Sequence, residues 1–81
     1  MTITLFTKPS CVQCEATKRR LDKLGIDYTT VDVTKDPAAF DHIVGLGYQQ
    51  VPVVEVKRSK KKDESWAGYR PDLLAGLKGA A

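Results

Sequence analysis

Cys11-Val12-Gln13-Cys14 follows directly on the short apolar run Ile3-Thr4-Leu5-Phe6-Thr7, and it holds both cysteines of the chain. The run alternates apolar residues with Thr, which is the pattern of a β-strand. Pro9-Ser10 breaks the run, and a helical pattern begins at once. A thiol pair three positions apart at a strand-to-helix junction points to a dithiol that cycles with a disulfide. The helix start leaves backbone N–H groups unpaired and carries the positive end of the helix dipole. Both stabilise a thiolate on the first cysteine, and the thiolate is the species that attacks disulfides.

The pattern around the pair predicts a small α/β domain. Ser10 is the expected N-cap of a helix from Cys11, with Glu15 in its first turn. Cys14, Thr17, Leu21 and Leu24 recur at helical spacing as its inward stripe, and Gly25 closes it as a left-handed cap. Asp27 to Val33 reads as a second strand. Asp36 caps a second helix with Pro37 at its first position, and Phe40, Ile43, Val44 and Leu46 form its expected apolar side, loosened at the end by Gly45 and Gly47. Val51 to Val56 is the third strand, with Pro52 restricted to its start. A basic turn leads to a short edge strand, Glu64 to Trp66, which Gly68 ends. The last helix runs from about Pro71 and frays at Gly79-Ala80-Ala81. The order is β-α-β-α-β-β-α, a four-stranded mixed sheet with helices on both faces. Its first βαβ unit is parallel and right-handed, and its last two strands form an antiparallel hairpin.

With 81 residues the chain fits one domain, residues 1–81, with a modest core. No stretch is long and apolar enough to span a bilayer, and no signal peptide is visible. Two closely spaced cysteines make a poor structural staple, because the loop they close is short. Reactive thiols fit a reducing compartment, so a cytoplasmic protein is expected. The net charge of +3 is concentrated in Lys18-Arg19-Arg20 with Lys23, and in Lys57-Arg58-Ser59-Lys60-Lys61-Lys62. Each run reads as a solvated face, or as a docking surface for an acidic protein partner. The second run is short, is followed by Asp63-Glu64 and has no interleaved aromatics, so nucleic-acid binding is not expected.

In the dithiol reading Cys11 is the nucleophile and Cys14, on the inward stripe, the resolving thiol. A zinc site would need about four ligands, and the chain offers Cys11, Cys14 and the lone His42. Haem attachment is excluded, since Glu15 rather than His follows Cys14. Lys8, three residues before Cys11, is either a thiolate-stabilising cation or a solvated loop lysine. His42 reads as a surface helix residue, since the two thiols already supply the acid and base.

Cys11-Val12-Gln13-Cys14 preceded by Thr7-Lys8-Pro9, the Gly47-Tyr48 and Gln50-Val51-Pro52-Val53-Val54 stretch, and Trp66-Ala67-Gly68-Tyr69-Arg70-Pro71-Asp72 together resemble the NrdH-type redoxins. These are glutaredoxin-like proteins of the thioredoxin fold. The resemblance covers nearly the whole chain. It implies a monomer with no bound cofactor that is reduced by thioredoxin reductase, with NADPH consumed only by that reductase. It also implies electron donation to class Ib ribonucleotide reductase. It supports Lys8 as thiolate stabiliser, and implies a cis Val51–Pro52 bond whose Val51 backbone meets the bound peptide. Trp66 and Arg70 are expected in partner binding, the indole lying across the surface between hairpin and last helix and the guanidinium tying backbone carbonyls; the alternative is that Trp66 is core and Arg70 simply exposed. Three departures stand out: Ala67 replaces a usual Ser, Tyr69 replaces a usual Phe, and the Lys57 to Asp63 turn is longer and more basic.

Two other functions compete. A glutathione-dependent glutaredoxin commonly has Pro-Tyr or Pro-Phe inside the motif and a Gly-Gly-x-Asp-Asp stretch near the last helix. This chain has Val12-Gln13 and the Trp66 to Asp72 segment in those places. An iron–sulfur carrier dimer or a non-catalytic interaction module is the other, and a cluster would colour the pure protein.

Overall fold

The computed structural model of the protein describes residues 1–77; the fraying expected at Gly79-Ala80-Ala81 lies outside them. Its elements are β1 (Thr2–Thr7), α1 (Val12–Lys23), β2 (Thr29–Asp32), α2 (Pro37–Gly45), β3 (Val53–Lys57), β4 (Glu64–Ala67) and α3 (Pro71–Ala75). The order is the β-α-β-α-β-β-α of the sequence pattern. The four strands form one mixed sheet in the order β2-β1-β3-β4. β1 and β2 are parallel across the α1 crossover, and β3 is antiparallel to both β1 and β4.

Strand alternation divides the apolar residues between two faces. Leu5, Val54 and Trp66 stand in one cross-strand row, beside Ile3 and Val56. This row packs on Leu21 of α1 and Leu74 of α3 as the larger core. Phe6, Val53 and Ala67 stand on the opposite face, under Ile43 of α2. The next row on that face is Thr4, Glu55 and Ser65. Glu55 is 7% exposed, and its carboxylate lies 2.9 Å from Nε2 of His42. The His42 ring also lies against Phe6, with centroids 5.7 Å apart. The Ser65 hydroxyl is 2.9 Å from that of Tyr48.

That polar row corrects the expectation for α2. Of Phe40, Ile43, Val44 and Leu46, only Ile43 is buried; the other three are 42–47% exposed. The sheet offers α2 a single apolar row, so one stripe of the helix finds partners and the rest faces outward.

Helix ends follow local chemistry closely. Gly25 (φ +70) and Gly47 (φ +97) take the left-handed conformation after α1 and α2. After α1, Ile26 N–H donates to Leu21 O and Gly25 N–H to Asp22 O. After α2, Tyr48 N–H donates to Ile43 O and Gly47 N–H to Val44 O. Both are Schellman closures, so Gly47 ends α2 firmly where looseness was expected. Asp36 caps α2 as expected, accepting from Ala39 N–H at 3.2 Å. Ser10 is not the cap of α1. Its φ of 58 lies in the left-handed region, whereas a capping hydroxyl needs an extended backbone. Cys11 (φ −108, ψ 105) takes the capping position instead.

Candidate active site at the dithiol

Cys11 and Cys14 form a disulfide at the start of α1, with Cα atoms 5.2 Å apart. Sγ of Cys11 accepts the backbone N–H of Cys14 at 3.2 Å, so the sulfur itself is the helix N-cap. The two sulfurs differ in access. Cys11 is half-buried, while Cys14 is 1% exposed on the inward stripe with Thr17 and Leu21. Thr17 can be buried there because its hydroxyl donates to Gln13 O at 2.8 Å. Val12 stands 81% exposed beside the disulfide as an apolar rim.

Two further segments lie around the dithiol loop, the proline loop being joined to it through the corner after β4. The Val51–Pro52 bond is cis, and Pro52 is buried just ahead of β3. The Pro52 carbonyl accepts Gly68 N–H at 2.8 Å. Oε1 of Gln13 accepts the next amide, Tyr69 N–H, at 3.4 Å. The corner between β4 and α3 therefore binds the proline loop with one amide and the dithiol loop with the next. Gly68 is suited to that corner by its φ of +84. The sequence placed Gly68 at the end of the edge strand and Gln13 inside the motif, with no contact expected between the two segments. The one available signal was a glycine between a short edge strand and a Pro-initiated helix.

Lys8 and Val51 come together as walls of a groove of about 340 Å³, completed by Val33, Phe40, Ile43 and Gln50. The exposed Phe40 thus has a place: it forms the apolar side of a groove that starts at the proline loop. Lys8 also borders a second, polar hollow that contains Cys11, Glu15, Lys18 and Asp32. Lys18 and Glu15 pair there at 3.0 Å. The Thr34 hydroxyl and amide, bonding to Asp32, hold that carboxyl below the usual range.

Trp66 and Arg70 do not join this group. The indole of Trp66 is 8% exposed within the larger core, on the sheet face that packs on α1 and α3. It borders a hollow between β4 and α3 with Asp72, Leu73 and Leu77, none of which borders the hollows at Lys8. Alternation explains this placement: Trp66 is opposite Val54, one residue out of phase with the Ala67–Val53 pair on the groove side. Arg70 has the non-helical backbone expected before proline (φ −124, ψ 81). Among the described residues its guanidinium ties no backbone carbonyl. It takes the Asp72 carboxylate two-pronged, Nε to Oδ1 at 3.2 Å and Nη2 to Oδ2 at 3.1 Å. This bonding holds the Asp72 carboxyl below its usual range and raises the guanidinium.

His42 is engaged by Glu55 and Phe6 and borders neither hollow at the dithiol. Among the described residues, no group of three or more His, Cys, Asp or Glu side chains is arranged to hold a metal ion. No described helix is long and apolar enough to cross a membrane.

Residues 3–59 match the glutaredoxin family profile. The glutaredoxin-like protein NrdH of Escherichia coli (strain K12) is 39% identical over 77 residues, which is 95% of this chain and 89% of that protein. The gene 56 protein of Mycobacterium phage L5 is 38% identical over 93% of this chain and 70% of its own length. The solved NrdH-redoxin of Escherichia coli superposes with a TM-score of 0.87 at 37% identity, covering both chains in full. A glutaredoxin from Archaeoglobus fulgidus shares the fold at 22% identity, with a TM-score of 0.76 over 93% of this chain and 83% of its own.

Proposed function

Because this chain belongs to the glutaredoxin family, in its NrdH-type branch, we propose that it is an electron carrier reduced by thioredoxin reductase that passes electrons to a class Ib ribonucleotide reductase. The observation that carries the reading is the unequal access of the two sulfurs at the helix start, beside the cis-proline loop.

The more accessible sulfur, that of Cys11, meets the partner. In the reduced protein the Cys14 N–H that now reaches Sγ of Cys11 donates to a thiolate, and hydrogen bonding to the charged form favours it. Lys8 lies beside the same hollow, and its ammonium favours the thiolate further. The Cys11 thiolate attacks one sulfur of the partner's disulfide. A Cys11–partner disulfide forms as the partner's second sulfur leaves as thiolate, to be protonated from solvent. Cys14 then loses its proton and attacks Sγ of Cys11. The intramolecular disulfide forms, and the partner's first sulfur leaves. Two electrons have passed to the partner, and its two thiols have taken up the protons that the carrier released. The reductase reverses the sequence at the expense of NADPH. The groove from Lys8 past Val51 to Phe40 offers the partner chain an apolar wall, and it shares Lys8 with the hollow that contains Cys11.

The relative in Escherichia coli has a thioredoxin-like activity profile, which supports a flavoprotein reductase over glutathione as the electron source. The test is NADPH consumption in two coupled assays, one with thioredoxin reductase and one with glutathione and glutathione reductase. Fast turnover in the first and slow turnover in the second is expected. Rapid turnover with glutathione would replace this reading by a glutathione-dependent glutaredoxin.

A further inference from the structure

The second half of α1 carries a feature that dithiol exchange does not use. Gln13, Ala16, Arg20 and Lys23 follow at i, i+3, i+7 and i+10, so they share one helix face. Below Gln13 this face opens into a cleft of about 290 Å³ lined by Ala16, Arg19, Arg20, Lys23 and Tyr69. The small Ala16 leaves the space, and Tyr69 forms the opposite wall.

We propose that this cleft seats an acidic segment of the protein whose disulfide is exchanged at Cys11–Cys14. The proposal rests on the electron-carrier reading and adds the chemistry that selects the partner. Three cations line the cleft. Lys18, Arg58 and Arg70 each have a carboxylate within 4.0 Å, whereas Arg19, Arg20 and Lys23 have none among the described residues. Nε of Arg20 is shielded from solvent and has no hydrogen-bond partner among the described residues. A buried donor without an acceptor is costly, so this guanidinium is left under-bonded in the free protein. Arg19 to Lys23 covers about 6 Å of helix rise, close to two residues of extended chain, so carboxylates two positions apart reach both ends. A two-pronged carboxylate contact also suits the guanidinium fork.

The cleft is placed to matter for exchange. Its Tyr69 wall is held through the backbone to Gln13, which stands between the two cysteines. Ala16 lies five residues along the helix from Cys11, about 7 Å of rise, and Lys23 about 18 Å. An extended segment therefore runs from the disulfide into the cleft over roughly three to five residues. The other basic run is placed differently. Lys57 pairs with Thr2, while Phe6 and Val53 pair at the dithiol end of the sheet, so the hairpin carrying Lys60 to Lys62 lies at the opposite end.

The test uses two synthetic peptides with the same intramolecular disulfide. One carries Asp and Glu three to five residues from the nearer cysteine; the other carries Asn and Gln there. The reduced protein's rate with each is measured at about 20 mM and about 500 mM salt, which spans strong to weak screening. In the unmodified protein the acidic peptide should react on the order of tenfold faster at low salt, and the advantage should vanish at high salt. In the Arg19→Gln/Lys23→Gln variant the ratio of the two rates should fall to about one at low salt. The Lys60→Gln/Lys62→Gln variant should keep the ratio. A ratio near one in the unmodified protein, or one that survives Arg19→Gln/Lys23→Gln, overturns the proposal. Collapse of the ratio in the hairpin variant moves the docking surface to the other end of the sheet. If neither peptide is reduced, the electron-carrier reading falls first.

Discussion

Gln13 and Tyr69 are joined across 56 positions of sequence: the side-chain oxygen of the one accepts the backbone N–H of the other at 3.4 Å. The bond is long and therefore weak. Its neighbour, Gly68 N–H to Pro52 O, is 2.8 Å. Together they fasten the corner after β4 to both loops that carry the site. A partner docking against Tyr69 thus touches a residue that shares a hydrogen bond with the dithiol motif.

Gly68 makes this corner possible, so its replacement should be felt. A Cβ there would meet Oε1 of Gln13 at 3.6 Å, an ordinary contact, so space is not the obstacle. The φ of +84 is. A non-glycine residue held in left-handed backbone costs about 1–2 kcal/mol. Gly68→Ala should lower stability by that amount in urea unfolding, and the Gln13→Ala change by less, since it removes one weak bond. Equal stability of Gly68→Ala and the unmodified protein would mean that the corner relaxes freely.

Trp66 is predicted to act through packing. Its Nε1 is buried with no hydrogen-bond partner among the described residues. Trp66→Ala should cost about 3–5 kcal/mol, the range for removing a large core aromatic. Trp66→Phe should recover much of that, because it loses volume but no hydrogen bond. Chemical unfolding of both variants checks this, and a Phe variant as unstable as the Ala variant would show that the indole N–H matters after all.

The buried carboxylate of Glu55 depends on His42, its one side-chain partner among the described residues. Removing one member of a buried hydrogen bond exposes the other to the full cost of desolvation, about 1–3 kcal/mol. His42→Ala should therefore destabilise by that amount. Adding Glu55→Gln should soften the loss, since a neutral amide is cheaper to bury than a carboxylate. Strictly additive losses in the double variant would argue that the pair is not coupled.

Much of this molecule was legible in its residues, for physical reasons that differ by element. β1 and α1 announce themselves through strict periodicity on either side of Pro9, and Asp36-Pro37 and Gly25 mark helix ends by chemistry that acts within a few residues. The pairing of the last two strands was also accessible, since a turn between strands adjacent in sequence makes β3 and β4 antiparallel. Three features were hidden because they depend on distant chain. The burial of α2 depends on a polar row that β3 and its neighbours place under it. The side on which Trp66 lands depends on register with Val54, and one residue of slip would reverse it. Ser10 looked like a cap because its type suits one, yet its backbone, set by the turn, forbids it. The Gln13–Tyr69 bond joins segments whose meeting only the folded sheet decides.

The dithiol itself gives the sharpest prediction. Access and burial divide the labour: Cys11 is half-buried and caps the helix with its sulfur, while Cys14 is 1% exposed beneath it. Attack on a protein disulfide requires the accessible thiolate, and release requires only that the second thiol reach the first, which the present disulfide shows it does. Cys14→Ser should form a mixed disulfide with a disulfide-bearing partner and hold it, because no thiol remains to displace the partner. Cys11→Ser should form little adduct, because the remaining thiol is buried. Intact-mass spectrometry after mixing each variant with the partner reads both outcomes directly. A trapped adduct with Cys11→Ser and none with Cys14→Ser would reverse the two roles and make the buried sulfur the one that first meets the partner.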